Sequence, residues 1–333
     1  MRALITGANG FAGTHLVRLL LSERWRVLGT TNDLGLNPDL KPDGERLRLE
    51  EIDVCDRAAL VSLIEDFRPE VVFHLAAITG AGLTREAVDE LYRVNVSGTE
   101  NLLFCLLEAG LPVTTLVTGS GAVYGASGST EAAAISESAR QAPETLYGAS
   151  KLAQESLAAA FGRAGGMKVL VTRAFNYTGP GEGPGMACSA FARQIVECEM
   201  KGGGAVRVGN LDSYRDYSDV RDVVRAYYMV ATRPGVGGVF NVCSGKAVRM
   251  RQILDGLVSL SRVNVSVEVD PARVRAVDTS YQRGDCSRIR ELVGWTPQIP
   301  LEKTLSDVLD FWREKLAGPR VGRGVRPKGE HSR

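Results

Sequence analysis

Histidine is scarce in this chain: three in 333 residues, at positions 15, 74 and 331. No His-rich spacing stands out, so no metal centre is expected. The six cysteines, at 55, 105, 188, 198, 243 and 286, include no C-x-x-C pair, which removes zinc ribbons and dithiol redox motifs. Most sit among apolar neighbours and read as reduced packing residues. No uninterrupted apolar run reaches membrane-spanning length, so no membrane partner is expected. Charge of one sign is lacking too: 40 basic residues face 39 acidic ones, a net of +1. Residues 318–333 carry five basic residues and one acid, which leaves 35 against 38, or −3, for the rest. No basic surface argues for nucleic acid, and residues 317–333 read as a disordered basic tail. The chain opens directly on a strand, so no leader is expected and the protein is placed in the cytoplasm.

What is present is alternation. Residues 2–6 read as a short buried strand, followed by Gly7, Gly10 and Gly13 in TGANGFAG and an amphipathic helix to about Glu23. A second strand, residues 26–30, completes a βαβ unit. In that context the glycines read as a dinucleotide loop: one for the tight turn, one for backbone approach to a pyrophosphate. The helix N-terminus adds N–H donors and a positive dipole. At the end of the second strand an acid would hold the ribose hydroxyls of NAD. Thr30, Thr31 and Asn32 stand there, with Asp33 late. NADP(H) is therefore favoured, while NAD(H) stays open because no arginine follows at once. Residues 49–54 read as a third strand ending in Asp53, suited to an adenine amino group. Residues 71–77 form an apolar strand ending in small residues, as expected where backbone passes a cofactor. A helix over 95–109 and a strand over 114–118 continue the pattern. The fold class is α/β: a doubly wound parallel (Rossmann) sheet with a smaller C-terminal α/β substrate-binding region.

Tyr147 and Lys151 lie four apart at the start of a helix, one turn apart on one face. An ammonium beside a phenol stabilises the phenolate and lowers its pKa, so the pair can exchange a proton with an alcohol or ketone. The spacing alone is weak evidence. Ser120 follows the strand at 114–118, and ligands bind outside strand carboxyl ends in such sheets. It is placed to hydrogen-bond a substrate oxygen; capping a turn is its ordinary alternative. Past Arg173, glycine and proline density breaks the alternation. The expected division is 1–176, joined by 211–245, for the dinucleotide domain, with 177–210 and 246–316 as the substrate region.

Taken in order, Gly7/Gly10/Gly13, Asp53, His74-Leu75-Ala76-Ala77, Asn95, Ser120 before Val123-Tyr124-Gly125, and Tyr147-x3-Lys151 resemble the extended short-chain dehydrogenase/reductases that act on nucleotide sugars. The resemblance spans residues 1 to about 316. It implies a catalytic Ser120, Tyr147 and Lys151. It implies cofactor contacts from Gly7, Asn9, Gly10, Phe11, Ala12, Gly13, Thr31, Asp53, Val54, Leu75, Ala76 and Ala77, besides Tyr147 and Lys151. The C-terminal half resembles the GDP-sugar branch, in 208–216, 241–245 and 270–278. That implies Asn176, Arg215, Arg275 and Asp278 as substrate contacts, and guanidinium groups suit a diphosphate.

Within that family, 4,6-dehydratases carry an Asp-Glu pair where this chain has Gly121-Ala122, so dehydration is not expected. Enzymes that invert carbons with a Cys and a His need a histidine this chain does not offer. The reading is NAD(P)H-dependent reduction of the C4 ketone of a GDP-4-keto-6-deoxyhexose to a GDP-6-deoxyhexose such as GDP-D-rhamnose. The alternative is an NAD-dependent nucleotide-sugar 4-epimerase, and behind it a non-catalytic dinucleotide sensor. The resemblance also implies a homodimer.

Overall fold

The computed structural model describes residues 1–35, 40–80, 82–126, 133–273 and 280–318. Strand β1 (Arg2–Thr6) leads through the glycine loop into α1 (Phe11–Ser22), then β2 (Arg26–Thr31), β3 (Leu47–Glu51), α2 (Arg57–Phe67) and β4 (Val71–His74). Helix α3 (Arg85–Tyr92) passes through a π-turn at Arg93–Ser97 into α4 (Gly98–Glu108). Next come β5 (Thr114–Ser120), a 3-10 turn at Gly121–Tyr124, α5 (Leu146–Ala164) and β6 (Lys168–Ala174). The remainder is β7 (Asn176–Thr178), α6 (Ala187–Lys201), β8 (Gly204–Val208), β9 (Tyr214–Asp219), α7 (Val220–Thr232), β10 (Gly238–Val242), β11 (Ala247–Arg249), α8 (Met250–Ser259), β12 (Val265–Val269), α9 (Ser287–Val293) and α10 (Leu301–Ala317).

Seven strands form one parallel sheet in the order β10-β6-β5-β4-β1-β2-β3. The order reverses between β1 and β4, which opens a crevice at the strand carboxyl ends. Side chains alternate across the sheet. Ala3 and Ile5 of β1 join the core under α1 and α7, while Leu4 joins the core under α2 and α4. Both faces are covered, so the strands read as apolar runs. A separate apolar cluster joins α6, α8 and α10 to β8, around Phe191, Ile195, Leu254, Val308 and Trp312. A short β11-β9-β7 sheet lies between, with β7 and β9 parallel.

Some boundaries differ from expectation. The third strand runs 47–51, because its ladder with β2 ends at Thr31↔Glu51. Asp53 therefore lies in the loop beyond the sheet. The helix expected over 95–109 starts earlier, as α3, and carries the π-turn. The extra residue in that turn aims Asn95 inward, where its side chain bonds the Ile78 backbone at 2.7 and 2.9 Å. Helix α9 and strands β7, β9 and β11 were not anticipated. They are short, and their pairings span distant parts of the chain.

Candidate active site

The first component is backbone. Gly7 has φ +70°, and a Cβ there would stand 2.8 Å from the Ala76 nitrogen. The loop after β4, carrying half-buried Leu75, Ala76 and Ala77, thus lies directly on the glycine loop. A Cβ on Gly13 would meet the Gly7 carbonyl at 2.1 Å, so α1 can start this close only with glycine there. Gly10 caps α1, and among the described residues no side chain satisfies the first-turn N–H groups of Phe11, Ala12 and Gly13. Asn9 is buried and donates to the Asp33 carbonyl at 2.9 Å, while its Oδ1 has no partner among the described residues. Uncapped N–H groups, a cradle that a Cβ would fill and an orphan buried carbonyl fit a dinucleotide.

At the end of β2, Thr31 is buried and its hydroxyl is engaged with the Asp33 backbone at 3.1 Å. Asp33 is exposed, and its carboxylate accepts from Gly35 N–H at 2.7 Å. Asp53 accepts from Cys55 N–H at 2.8 Å and from Arg93 at 2.9 Å. Partial burial works against its charge, but these two donors hold its carboxyl below the usual range. Val54 beside it is buried, with its carbonyl bonded by Asn101 at 2.8 Å.

The second component is the end of β5 with the first turns of α5. Thr145 caps α5 by accepting from Gly148 N–H at 3.0 Å. A Cβ on Gly148 would meet the Ala122 carbonyl at 2.7 Å, so this glycine lets α5 press on the turn after Ser120. Ser120 caps that turn, accepting from Ala122 N–H at 3.1 Å, and its hydroxyl also lies next to the Tyr147 phenol. Its capping and its contact with Tyr147 thus coexist. Lys151 is 2% exposed, with Nζ 6.0 Å from the centre of the Tyr147 ring. The structure therefore brings Ser120, Tyr147 and Lys151 together at the carboxyl end of β5.

The direction of the Tyr147 pKa differs from expectation. Burial pushes the phenol up, and the neighbouring Ser120 hydroxyl only partly offsets that. Lys151 is only partly protonated near neutral pH, since burial lowers its own pKa to about 7. Its Nζ donates to the Thr118 carbonyl at 2.8 Å and to Gln154 Oε1 at 2.7 Å. Gln154, on the face of α5 that carries Tyr147 and Lys151, went unnoticed in the sequence although its spacing was visible. Behind it lie Thr99 and a fully buried His74. Asn95 donates to Ser150 at 3.0 Å, and Ser150 donates to the Tyr147 carbonyl at 2.8 Å.

The third component faces the C-terminal half. Asn176 pairs with Tyr217 across β7 and β9, and Arg215 lies two residues back along β9. All three side chains share one sheet face. Arg215 donates to the Tyr214 carbonyl at 2.8 Å. Arg275, Asp278 and nearly all of the basic tail lie outside the described residues. Phe11 stacks on Tyr177 with ring centres 5.8 Å apart, and His15 Nε2 donates to the Pro180 carbonyl at 2.8 Å. These contacts fasten the cofactor helix to the glycine-rich loop after β7.

Family comparison agrees with this layout along nearly the whole chain. A family model, GDP-mannose 4,6 dehydratase, matches residues 4–308. The chain belongs to that family. Among curated relatives it is 32% identical over 320 residues to a Pseudomonas aeruginosa GDP-6-deoxy-D-mannose reductase, covering 95% of this chain and 98% of the relative. It is 30% identical over 322 residues to a UDP-glucose 4-epimerase of Mycolicibacterium smegmatis, covering 95% and 99%. Among solved structures, RMD from Pseudomonas aeruginosa complexed with NADPH superposes with a TM-score of 0.78 at 30% identity, over 94% of this chain and 99% of that one. A Thermotoga maritima UDP-glucose 4-epimerase with UDP-glucose gives 0.86 at 25% identity, over 95% and 100%. This chain's relatives and structural neighbours thus include a reductase and 4-epimerases. In this member the turn after Ser120 holds Gly121 and Ala122, which have no carboxylate.

Proposed function

We propose that this protein reduces the C4 ketone of a GDP-4-keto-6-deoxyhexose to a GDP-6-deoxyhexose such as GDP-D-rhamnose, with NADPH favoured over NADH. The observation that carries this reading is the junction of Ser120, Tyr147 and Lys151 at the carboxyl end of β5, without a carboxylate at Gly121 or Ala122. The likeness to the Pseudomonas reductase supports the substrate class.

The residues divide the work. Gly7, Gly10 and Gly13 let the backbone meet the pyrophosphate; Asn9, Phe11 and Ala12 complete that loop. Asp53 and Val54 take the adenine end, and Leu75, Ala76 and Ala77 line the path to the nicotinamide. When bound, the reduced nicotinamide supplies hydride to C4. Tyr147, kept protonated at neutral pH by burial, gives its proton to the C4 oxygen. Ser120 aligns the phenol and that oxygen. Lys151 stabilises the phenolate that remains and holds the nicotinamide ribose. Asn176 and Arg215, on one sheet face, take the sugar nucleotide, with Arg275 and Asp278 assigned by resemblance. NADPH is favoured because β2 ends in a buried Thr31 with no acid in line, and because NADPH occupies the Pseudomonas structure.

Residues 1–176 with 211–245 are taken as the dinucleotide domain, and 177–210 with 246–316 as the sugar-nucleotide region. A cytoplasmic homodimer is proposed, with the exposed Phe104 on α4 and Phe161 on α5 as candidate contacts. Among the described residues no helix is long and apolar enough to cross a membrane.

The test is loss of reduced-nicotinamide absorbance with NADPH or NADH and GDP-4-keto-6-deoxymannose, matched by one GDP-6-deoxyhexose product. Tyr147→Phe should keep dinucleotide affinity and lose roughly 10²–10⁴-fold in turnover. Substantial activity in that variant would sink the role of Tyr147. The epimerase relative favours a second reading, NAD-dependent 4-epimerisation. Interconversion of hexose isomers without net cofactor use would select it.

A further inference from the structure

Lys151 rests on a buried polar layer whose hydrogens can be assigned by counting. Thr99 has one hydroxyl proton, and it goes to the Asn95 carbonyl at 2.6 Å. Thr99 Oγ1 can then only accept from its other two neighbours, Gln154 Nε2 at 2.7 Å and His74 Nε2 at 2.8 Å. His74 is therefore the Nε2–H tautomer. Its Nδ1 accepts from the Thr6 hydroxyl at 2.6 Å, and Thr6 in turn accepts from Ala76 N–H at 3.3 Å. The Gln154 amide cannot be turned round, because its nitrogen must face Thr99. Its oxygen faces Lys151 Nζ at 2.7 Å. Thr118, whose carbonyl is the other acceptor, is itself tied to the His74 carbonyl at 2.9 Å.

We propose that Gln154 is a positioning residue for Lys151, holding the amine against the sheet so that one of its three non-carbon positions alone is left for Tyr147 and the cofactor ribose. The two acceptors, Gln154 Oε1 and the Thr118 carbonyl, are satisfied by either form of the amine. The remaining position is an N–H in the cation and a lone pair in the free base. Gain and loss of a proton are thereby directed to the side that meets the chemistry. The inference deepens the reductase reading and rests on it for the role of the ribose contact, but not for the position of Lys151 itself.

The titratable groups about Lys151 are His74 from β4 and Tyr147 from its own helix, with Tyr177 and Tyr227 beyond Tyr147. Asn95, Thr99 and the Thr118 carbonyl carry no charge. His74 is held neutral, its pKa brought to about 3 by burial and by Lys151. Among the described residues, Gln154 is thus the side chain within hydrogen-bond reach whose replacement alters what the amine sees.

The experiment titrates the Lys151 side-chain carbon next to Nζ by NMR in 13C-lysine-labelled protein without cofactor, assigned by its loss in Lys151→Arg. The wild-type midpoint is expected near 7. Gln154→Leu removes an acceptor and should lower the midpoint by about one pH unit. Gln154→Glu places a carboxylate there and should raise it by a similar amount, about one unit or more. Opposite shifts support the inference; unmoved midpoints, or movement in one direction in both, overturn it. Should Gln154→Leu fail to fold, Thr99→Val frees the amide to turn and should lower the midpoint, while Thr99→Ser keeps it. NADPH affinity across the same pH range separates the two claims. Midpoints that shift without any change in affinity leave Gln154 positioning Lys151 and remove the ribose contact.

Discussion

Lys151 on α5 and Asp216 on β9 are both buried ionisable groups among neutral partners, and they are built oppositely. Lys151 makes two hydrogen bonds and keeps a third position open. Asp216 is saturated. One oxygen accepts from Ser244 N–H at 2.7 Å and the Ser244 hydroxyl at 2.6 Å; the other accepts from Gly245 and Gly284 N–H at 2.9 and 3.1 Å. Burial moves both toward neutrality, Lys151 down to about 7 and Asp216 up to about 6 against its four donors. The difference teaches what each is for. A group that must exchange a proton leaves a valence free. A group that must hold loops together spends every lone pair on them, here tying β9 to the loop after β10 and to Gly284.

The sharpest way to break the comparison is to neutralise each group. Lys151→Met should abolish most turnover, a loss of roughly 10²-fold or more, while the fold at neutral pH is kept. A loss of stability matching the loss of turnover would show Lys151 to be structural. Asp216→Asn should do the reverse. Its amide nitrogen would face backbone N–H groups that now lack an acceptor, costing roughly 3 kcal/mol in chemical denaturation. Normal stability would show that the four donors find other acceptors.

Opposite signs should also appear in pH. The Lys151 pKa is lower in the folded state, so its contribution to stability is full above about 10.5 and is lost as pH falls through about 7. The Asp216 pKa is higher in the folded state, so its contribution is full below about 3.8 and is lost as pH rises through about 6. Unfolding free energies of wild type and each variant, compared across pH, should differ in these separate windows. The amplitude is on the order of a few kcal/mol. Differences confined to one common window would dissolve the contrast.

This contrast also marks where sequence reading stops. The glycine loop, the Tyr147–Lys151 spacing and the strand–helix alternation are local patterns, and each is met by the geometry. Gln154 was within reach, seven residues after Tyr147. Thr99 and His74 were not, because the chain separates Thr99 from Gln154 by 55 residues and from His74 by 25. Asp216 ends the 208–216 segment that carries the resemblance, but its partners lie 28 to 68 residues away. Nothing near it in sequence tells a buried hub from a solvated acid. The lowered Tyr147 pKa failed for a related reason: desolvation depends on what packs around α5, which spacing does not carry.

The mildest effect is expected at Asp53, which supplies the control that burial demands. Its carboxylate pairs with Arg93 at 2.9 Å, and both side chains are near 40% exposed, at 43% and 42%. Arg93 also holds Glu90, so its bond to Asp53 is shared. Water screens such pairs, and exposed ion pairs contribute about 0–1 kcal/mol. Arg93→Ala should therefore change stability by less than about 1 kcal/mol, and dinucleotide affinity by less than about threefold, because Asp53 stays ionised and keeps its bond from Cys55. Calorimetric titration of the variant with NADPH measures the second quantity. A tenfold loss of affinity would mean that Arg93 itself meets the adenine end, and that exposure is no guide to which charges this site uses.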